Sequence, residues 1–185
     1  SDAMNELGAF AAKHNIPVTQ TVMGYSTMKK DHSHFLGPIG GLGGKAANNF
    51  AKKTDLAIAV GTRLGDFTTG SWANFENPNF SLVSINVARF DASKHMAQSV
   101  IGDAKVSLTE LSQVLGDWKA SEEWYEKSRE ELKSWNEYVD KESGPTNQEV
   151  PSYAHAVGAI YRNSDPTDIA VTAAGGLVGE VVQVW

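Results

Sequence analysis

Residues 40–63 read Gly40-Gly41-Leu42-Gly43-Gly44-Lys45-Ala46-Ala47-Asn48-Asn49-Phe50-Ala51-Lys52-Lys53-Thr54-Asp55-Leu56-Ala57-Ile58-Ala59-Val60-Gly61-Thr62-Arg63. The stretch is a glycine turn, a short helix and an apolar strand in succession. Ala46 to Lys53 carries a small apolar face at helical spacing. Thr54-Asp55 turns the chain. Leu56 to Gly61 is apolar on both faces, as a parallel strand covered by helices on both sides should be.

The same alternation extends outward. Residues 2–14 read as a helix, with Met4, Leu7, Phe10 and Ala11 on one face and Asn15 as its stop. Pro17 to Met23 is a β-rich run, and Tyr25 to His34 a polar loop. After the central strand, Asp66 to Asn77 is a loop or short helix. Ser81 to Val87 and Ser99 to Asp103 are two further strands, and Val106 to Trp118 is an amphipathic helix with Leu108, Leu111 and Leu115 in line. A long helix follows from Ser121 to about Glu142, striped by Trp124, Ser128, Leu132, Trp135 and Val139. Ser143-Gly144-Pro145-Thr146-Asn147 ends it, and the domain boundary is set there, giving 1–144 and 145–185. In the second part Ser152 to Tyr161 is helical, Asp168 to Thr172 reads as a strand, Ala173 to Gly176 as a tight turn, and Val178 to Trp185 as a helix. The expected class is α/β, a Rossmann-like parallel sheet flanked by helices, followed by the first β-α of another domain.

Composition bounds the function. The 185 residues hold 16 basic and 22 acidic side chains, a net charge of −6, which argues against a nucleic-acid surface. No cysteine occurs, so no disulfide and no thiolate zinc site is expected. No apolar run approaches the roughly 18 residues needed to cross a membrane, and no signal peptide is visible. A cytoplasmic protein without membrane partners is expected. The start at Ser1 without an initiator Met, and the end inside a helical pattern at Trp185, lead us to expect a fragment.

Two turns could approach an anion. A glycine-rich loop opening a helix points backbone amides and the positive helix end at a ligand. Gly40 to Gly44 offers this, but its spacing is not G-x-G-x-x-G and no strand clearly feeds it. A padded turn that lets Ala46 and Ala47 pack is the other reading. Ala173-Ala174-Gly175-Gly176-Leu177 follows a strand and opens a helix, where doubly wound sheets bind ligands. Gly44-Lys45 resembles the end of a P-loop, but Ala46 stands where Ser or Thr must hold Mg²⁺. No G-x-S-x-G or H-E-x-x-H motif occurs. Of the five histidines, His32 and His34 lie beside Asp31 in a loop without a third ligand, and are read as exposed. His14 and His155 fall on helices. Arg63 and Asp66 flank the end of the central strand and could bind a ligand or pair on the surface. No catalytic residue and no metal ligand is assigned within the chain.

Together the turn, the Ala46-Ala47-Asn48 helix start, the Leu56 to Arg63 strand, Ile85-Asn86-Val87 and Gly102-Asp103-Ala104-Lys105 resemble the central domain of thiamine-diphosphate enzymes such as acetolactate synthase. The resemblance covers about residues 1–118. Val60 to Trp72, Asn86-Val87 with Phe90 to His95, and Thr172 to Leu177 with Gly179-Glu180 are similar to the trihydroxycyclohexanedione hydrolase family, and extend it over the whole chain.

The resemblance implies a C–C bond hydrolase using thiamine diphosphate and Mg²⁺ in the intact enzyme, with a small-molecule substrate and a homodimeric or homotetrameric assembly. It implies that Gly175, Gly176 and Leu177 approach the cofactor, and that Phe67, Thr68, Thr69 and Trp72 belong to a substrate loop. The family's catalytic Glu and its Gly-Asp-Gly…Asn motif are absent from these 185 residues, so no cofactor is expected on this chain alone and it is expected to be an inactive scaffold. Flavin-binding relatives carry His and Thr in the glycine turn and many carry an acidic residue after the strand. Leu42, Gly44 and Asn86 depart from that pattern, and FAD is not expected. Two alternatives remain open: an acetolactate synthase or 2-oxo acid decarboxylase fragment, and a free-standing nucleotide-binding module.

Overall fold

The computed structural model describes residues 2–185. Helix α1 (Met4–His14) leads into β1 (Val18–Gln20) and β2 (Phe35–Pro38), and then α2 (Lys45–Lys53) into β3 (Leu56–Val60). A short α3 (Asp66–Thr69) precedes β4 (Ser81–Asn86), and α4 (Arg89–Ser93) precedes β5 (Gln98–Ile101). Four helices complete the chain: α5 (Ala104–Leu115), α6 (Glu122–Glu142), α7 (Tyr153–Arg162) and α8 (Leu177–Val184). Every strand pair is parallel, in two sheets ordered β1-β2 and β3-β4-β5. The class is α/β with parallel strands flanked by helices, as the alternation requires.

Local chemistry sets the helix ends. Asn15 closes α1 in the left-handed conformation at φ 57°. Asp103 caps α5, its carboxylate accepting from the amides of Lys105 at 2.9 Å and Val106 at 3.2 Å. That cap is the structural content of the Gly102-Asp103-Ala104-Lys105 segment. Ser121 caps α6 by accepting from Trp124 N, and Ser152 forms a reciprocal capping box with His155 on α7.

Neighbouring residues on β2 face opposite ways, as a strand dictates. Phe35 packs with Ala11 and Met28, on the side of α1. Leu36 packs with Ala46 and Phe50 of α2 and with Trp124, Leu132 and Trp135 of α6. Phe50 and Trp124 stack with ring centres 4.0 Å apart. Burying a side chain such as Phe50 contributes about 1.5–3 kcal/mol. Helix α1 also meets α5, and so bridges the two sheets: Lys13 donates to Ser112 O at 3.2 Å, and Lys105 pairs with Glu6 at 3.1 Å. His14 is fully buried there, its ring nitrogens 2.7 Å from Trp118 O and 2.9 Å from Ser112 Oγ.

At the other end of α6, α7 lies close. A Cβ on Gly158 would stand 2.0 Å from Ser143 O, and Arg162 donates to the same carbonyl at 2.6 Å. No helix among the described residues is long and apolar enough to cross a membrane.

Four local expectations change. Phe35–Pro38, read from sequence as the approach to an unfed turn, is a strand with all four residues buried, so a strand does lead into Gly40 to Gly44. Strand β3 is parallel, but it lies at a sheet edge with Leu56 49% exposed, and the better-covered strand is the central β4, buried at Leu82 and from Ser84 to Asn86. His34 is buried rather than exposed. Its ring nitrogens lie 2.9 Å from Ser33 Oγ and 3.2 Å from Asn15 Oδ1, and desolvation, then His32 and Arg129, hold its pKa below the usual histidine value. Asp168 to Thr172 has strand-like composition but forms no ladder, and Ile169 and Val171 stay 86% and 90% exposed. A strand needs a partner for its amides, and no described strand lies beside this one.

Candidate functional site

The carboxyl ends of β2 and β3 bring the first glycine turn against the loop around α3. Gly41 N donates to Phe67 O at 2.7 Å. Gly40, at φ +107°, lies so close that an added Cβ would stand 2.3 Å from Phe67 O and 2.8 Å from Thr68 Cα. A shallow cavity of about 360 Å³ opens between them, lined by Gly41, Asp66, Phe67, Gly70 and Ser71.

Asn48, in the first turns of α2, fastens this junction. Its Oδ1 accepts from Gly40 N at 2.9 Å and from Asn74 Nδ2 at 3.1 Å, and its Nδ2 donates to Gly40 O at 3.0 Å. The turn uses its own amides too: Gly43 N donates to Gly40 O at 2.9 Å and Gly44 N to Pro38 O at 2.8 Å. Gly40, Gly41, Gly43 and Gly44 therefore all donate within the protein, and Ala46 and Ala47 at the start of α2 are buried. A turn so occupied is a packing joint, with little left to offer a diphosphate.

The α3 loop has one free apolar tip. Phe67 is 73% exposed and lies over Gly41. Thr68 donates its amide to Gly65 O. Thr69 is fully buried, with its hydroxyl donating to Gly65 O and accepting from Trp72 N, each at 3.3 Å. Trp72 sits at φ 71° with its ring 5.3 Å from Phe75 and 4.2 Å from His95. Leu64, Ser71, Trp72, His95 and Met96 all take positive φ, so strain gathers in the loops that flank α3 and lead into β5. Asn86 spans two of these loops, donating to Thr62 O at 3.2 Å and accepting from Ala88 N at 2.9 Å. Arg63 is largely exposed and reaches toward Asp91 at 3.9 Å, while Asp66 opens α3. Among the described residues no group of three acidic or histidine side chains could hold a metal ion.

The second turn differs. Ala173 to Leu177 are exposed, and their amides form no hydrogen bond among the described residues. Gly175 takes φ +148°, and a Cβ there would meet nothing within 4 Å. Helix α8 begins at Leu177 without a side-chain cap. Free amides at an uncapped helix start, with open space in front, suit a diphosphate. Beside the turn runs an apolar groove of about 450 Å³ lined by Val157, Ile160, Ile169, Val171, Leu177 and Trp185 among others.

The family model for the thiamine pyrophosphate enzyme, central domain, matches residues 1–111. The chain belongs to this family. The whole chain is 33% identical to a protein of Clostridium perfringens named 3D-(3,5/4)-trihydroxycyclohexane-1,2-dione hydrolase, of which it covers 33%. Proteins of the same name from Geobacillus thermodenitrificans and Bacillus licheniformis are 32% and 33% identical, again over the whole chain. The chain thus spans about a third of the length of the curated relatives it matches. Membership in this family implies thiamine diphosphate in the intact enzyme.

Sequence reasoning found both glycine turns and the α3 loop. It missed Asn48, Asn74 and the α8 residue Gln183 as the contacts that join them. The Ala46-Ala47-Asn48 helix start was the available signal, since the first Asn after two alanines at a helix entry has a backbone within its reach.

Proposed function

We propose that this chain is part of a thiamine-diphosphate-dependent hydrolase that cleaves a C–C bond of 3D-(3,5/4)-trihydroxycyclohexane-1,2-dione. Ring opening would give 5-deoxy-glucuronate within myo-inositol breakdown, in the cytoplasm. The observation that carries the reading is 33% identity over the full chain to a relative of that name, a match that runs through both the Phe67 loop and the Gly175 turn.

On this reading residues 1–144 are the central domain and 145–185 begin the domain that holds the diphosphate. The cofactor, bound with Mg²⁺, provides a carbon nucleophile and an electron sink for C–C cleavage. The chain's own residues orient and enclose. Gly175, Gly176 and Leu177 present unpaired amides to the diphosphate end. Phe67 projects from the α3 loop as an apolar wall toward the substrate, and Thr68, Thr69 and Trp72 hold that loop in shape. The rest is scaffold, inactive by itself, in a homodimer or homotetramer.

The test is an assay of the full-length protein. Dione consumption that requires both thiamine diphosphate and Mg²⁺ is expected. Decarboxylation or condensation of pyruvate, with the dione untouched, would overturn the reading in favour of a 2-oxo acid enzyme.

A further inference from the structure

We propose that Gln183 is a positioning residue that ties the Gly40–Gly44 turn to α8 and thereby sets the aim of the Gly175–Leu177 turn. The consequence for the cofactor rests on the function proposed above; the coupling itself rests on geometry.

Gln183 uses both ends of its amide. Its Oε1 accepts from Trp135 Nε1 of α6 at 3.0 Å, and its Nε2 donates to Leu42 O at 2.8 Å. One side chain therefore joins the long helix, the first glycine turn and the last helix. The absence of a side chain at Gly44 makes room for it: a Cβ there would stand 2.7 Å from Trp135 Nε1 and 3.0 Å from Gln183 Oε1. Nearby, a Cβ on Gly179 would approach Leu42 Cδ2 at 3.7 Å, so α8 already lies close to the turn. The backbone of Trp185, two residues on, accepts from Lys30 Nζ.

The arrangement is more than apolar packing. Helix α8 is otherwise mostly valine, which packs without fixing rotation or register. A directional amide does fix them, because rotation of α8 would leave the indole N–H and the Leu42 carbonyl without their partner. From Gln183 to Leu177 is about 9 Å along the helix at 1.5 Å per residue. Two directional ties at one end of so short a rod, with α7 packed along it, constrain where the amides at the other end point. Leu42 and Gly44 then have a role in the glycine turn that needs no bound ligand there.

The experiment uses the full-length protein with Gln183→Glu, Gln183→Leu and Trp135→Phe. Gln183→Glu keeps the acceptor for Trp135 but faces Leu42 O with a second oxygen, and Trp135→Phe removes the indole donor alone. Two readouts are taken: hydrogen exchange of residues 40–44 and of the helix-bonded α8 amides 181–185 without cofactor, and the dissociation constant of thiamine diphosphate with Mg²⁺. Faster exchange in both segments is expected in each folded variant, together with about tenfold weaker cofactor binding. Substrate KM at saturating cofactor should stay within about twofold, whereas general loosening would raise it as well. Wild-type exchange of the α8 amides 181–185 in folded Gln183→Glu and Trp135→Phe would overturn the coupling, whatever the ligand. Faster exchange with unchanged cofactor affinity would overturn the positioning role. If the wild-type protein binds no thiamine diphosphate, the function reading fails and exchange alone decides the coupling.

Discussion

The two glycine turns look alike in sequence and are opposite in structure. Gly40 to Gly44 is closed: four of its amides donate within the protein, and backbone or indole atoms leave no room for a Cβ at Gly40, Gly43 and Gly44. Ala173 to Leu177 is open, with unpaired amides and empty space at Gly175. Glycine serves close packing at Gly40 and freedom of approach at Gly175, while Gly176 lies against the Tyr153 ring, where a Cβ would stand 3.0 Å from Cε2. The richer glycine run is the less suited of the two to a ligand. Counting glycines therefore does not find an anion site; accounting for each amide does.

Substitutions separate the two uses. The largest effect is expected for Gly40→Ala, whose Cβ would collide with Phe67 O at 2.3 Å in a backbone conformation unfavourable to alanine. A loss of about 3 kcal/mol is expected in urea unfolding, and a loss below about 1 kcal/mol would mean the turn is not closed. Asn48→Ala leaves the buried Gly40 amide without its acceptor and frees Asn74, with an expected cost of about 2 kcal/mol by the same measurement. Gly175→Ala meets no atom, and only its φ of +148° must adjust, so about 1 kcal/mol is expected. A Gly175→Ala loss as large as that of Gly40→Ala would erase the distinction.

A pH effect is the smallest, and it falls on the closed side. His34 stands just before β2, the strand that feeds the closed turn. Burial depresses its pKa, so the native state resists protonation more than the unfolded chain does. The stability it contributes is full above the unfolded value of about 6.5 and is lost as pH falls from there through the lower folded value. The melting temperature should decline between about pH 7 and 5.5, and His34→Gln should flatten that decline. An unchanged pH slope in the variant would show that His34 is not the group responsible.

Much of the fold was legible. The stripe from Trp124 through Leu132 to Trp135 located α6 within a residue at its start, and Leu108, Leu111 and Leu115 located α5, read as Val106 to Trp118 and found at Ala104–Leu115. Phe35–Pro38 was hidden because a four-residue strand containing Gly37 and Pro38 reads as a turn; its parallel pairing with β1 and its full burial identify it. Asp168 to Thr172 misled in the opposite way, since its composition is that of a strand while no described strand pairs with it. At the site, residue types found the two turns, but the contacts between them lay beyond any local pattern. Asn48 reaches Asn74 across 26 residues, and Gln183 reaches Leu42 across 141. Such contacts are set by tertiary packing and leave no periodicity to read.

The most direct test is calorimetric titration of thiamine diphosphate with Mg²⁺ into the full-length wild-type protein and its Gly175→Ala variant. Saturable wild-type binding, weakened at least about tenfold in Gly175→Ala, is the predicted result. Equal affinities for the two proteins, or no binding by the wild type, would contradict the open turn's assignment to the cofactor.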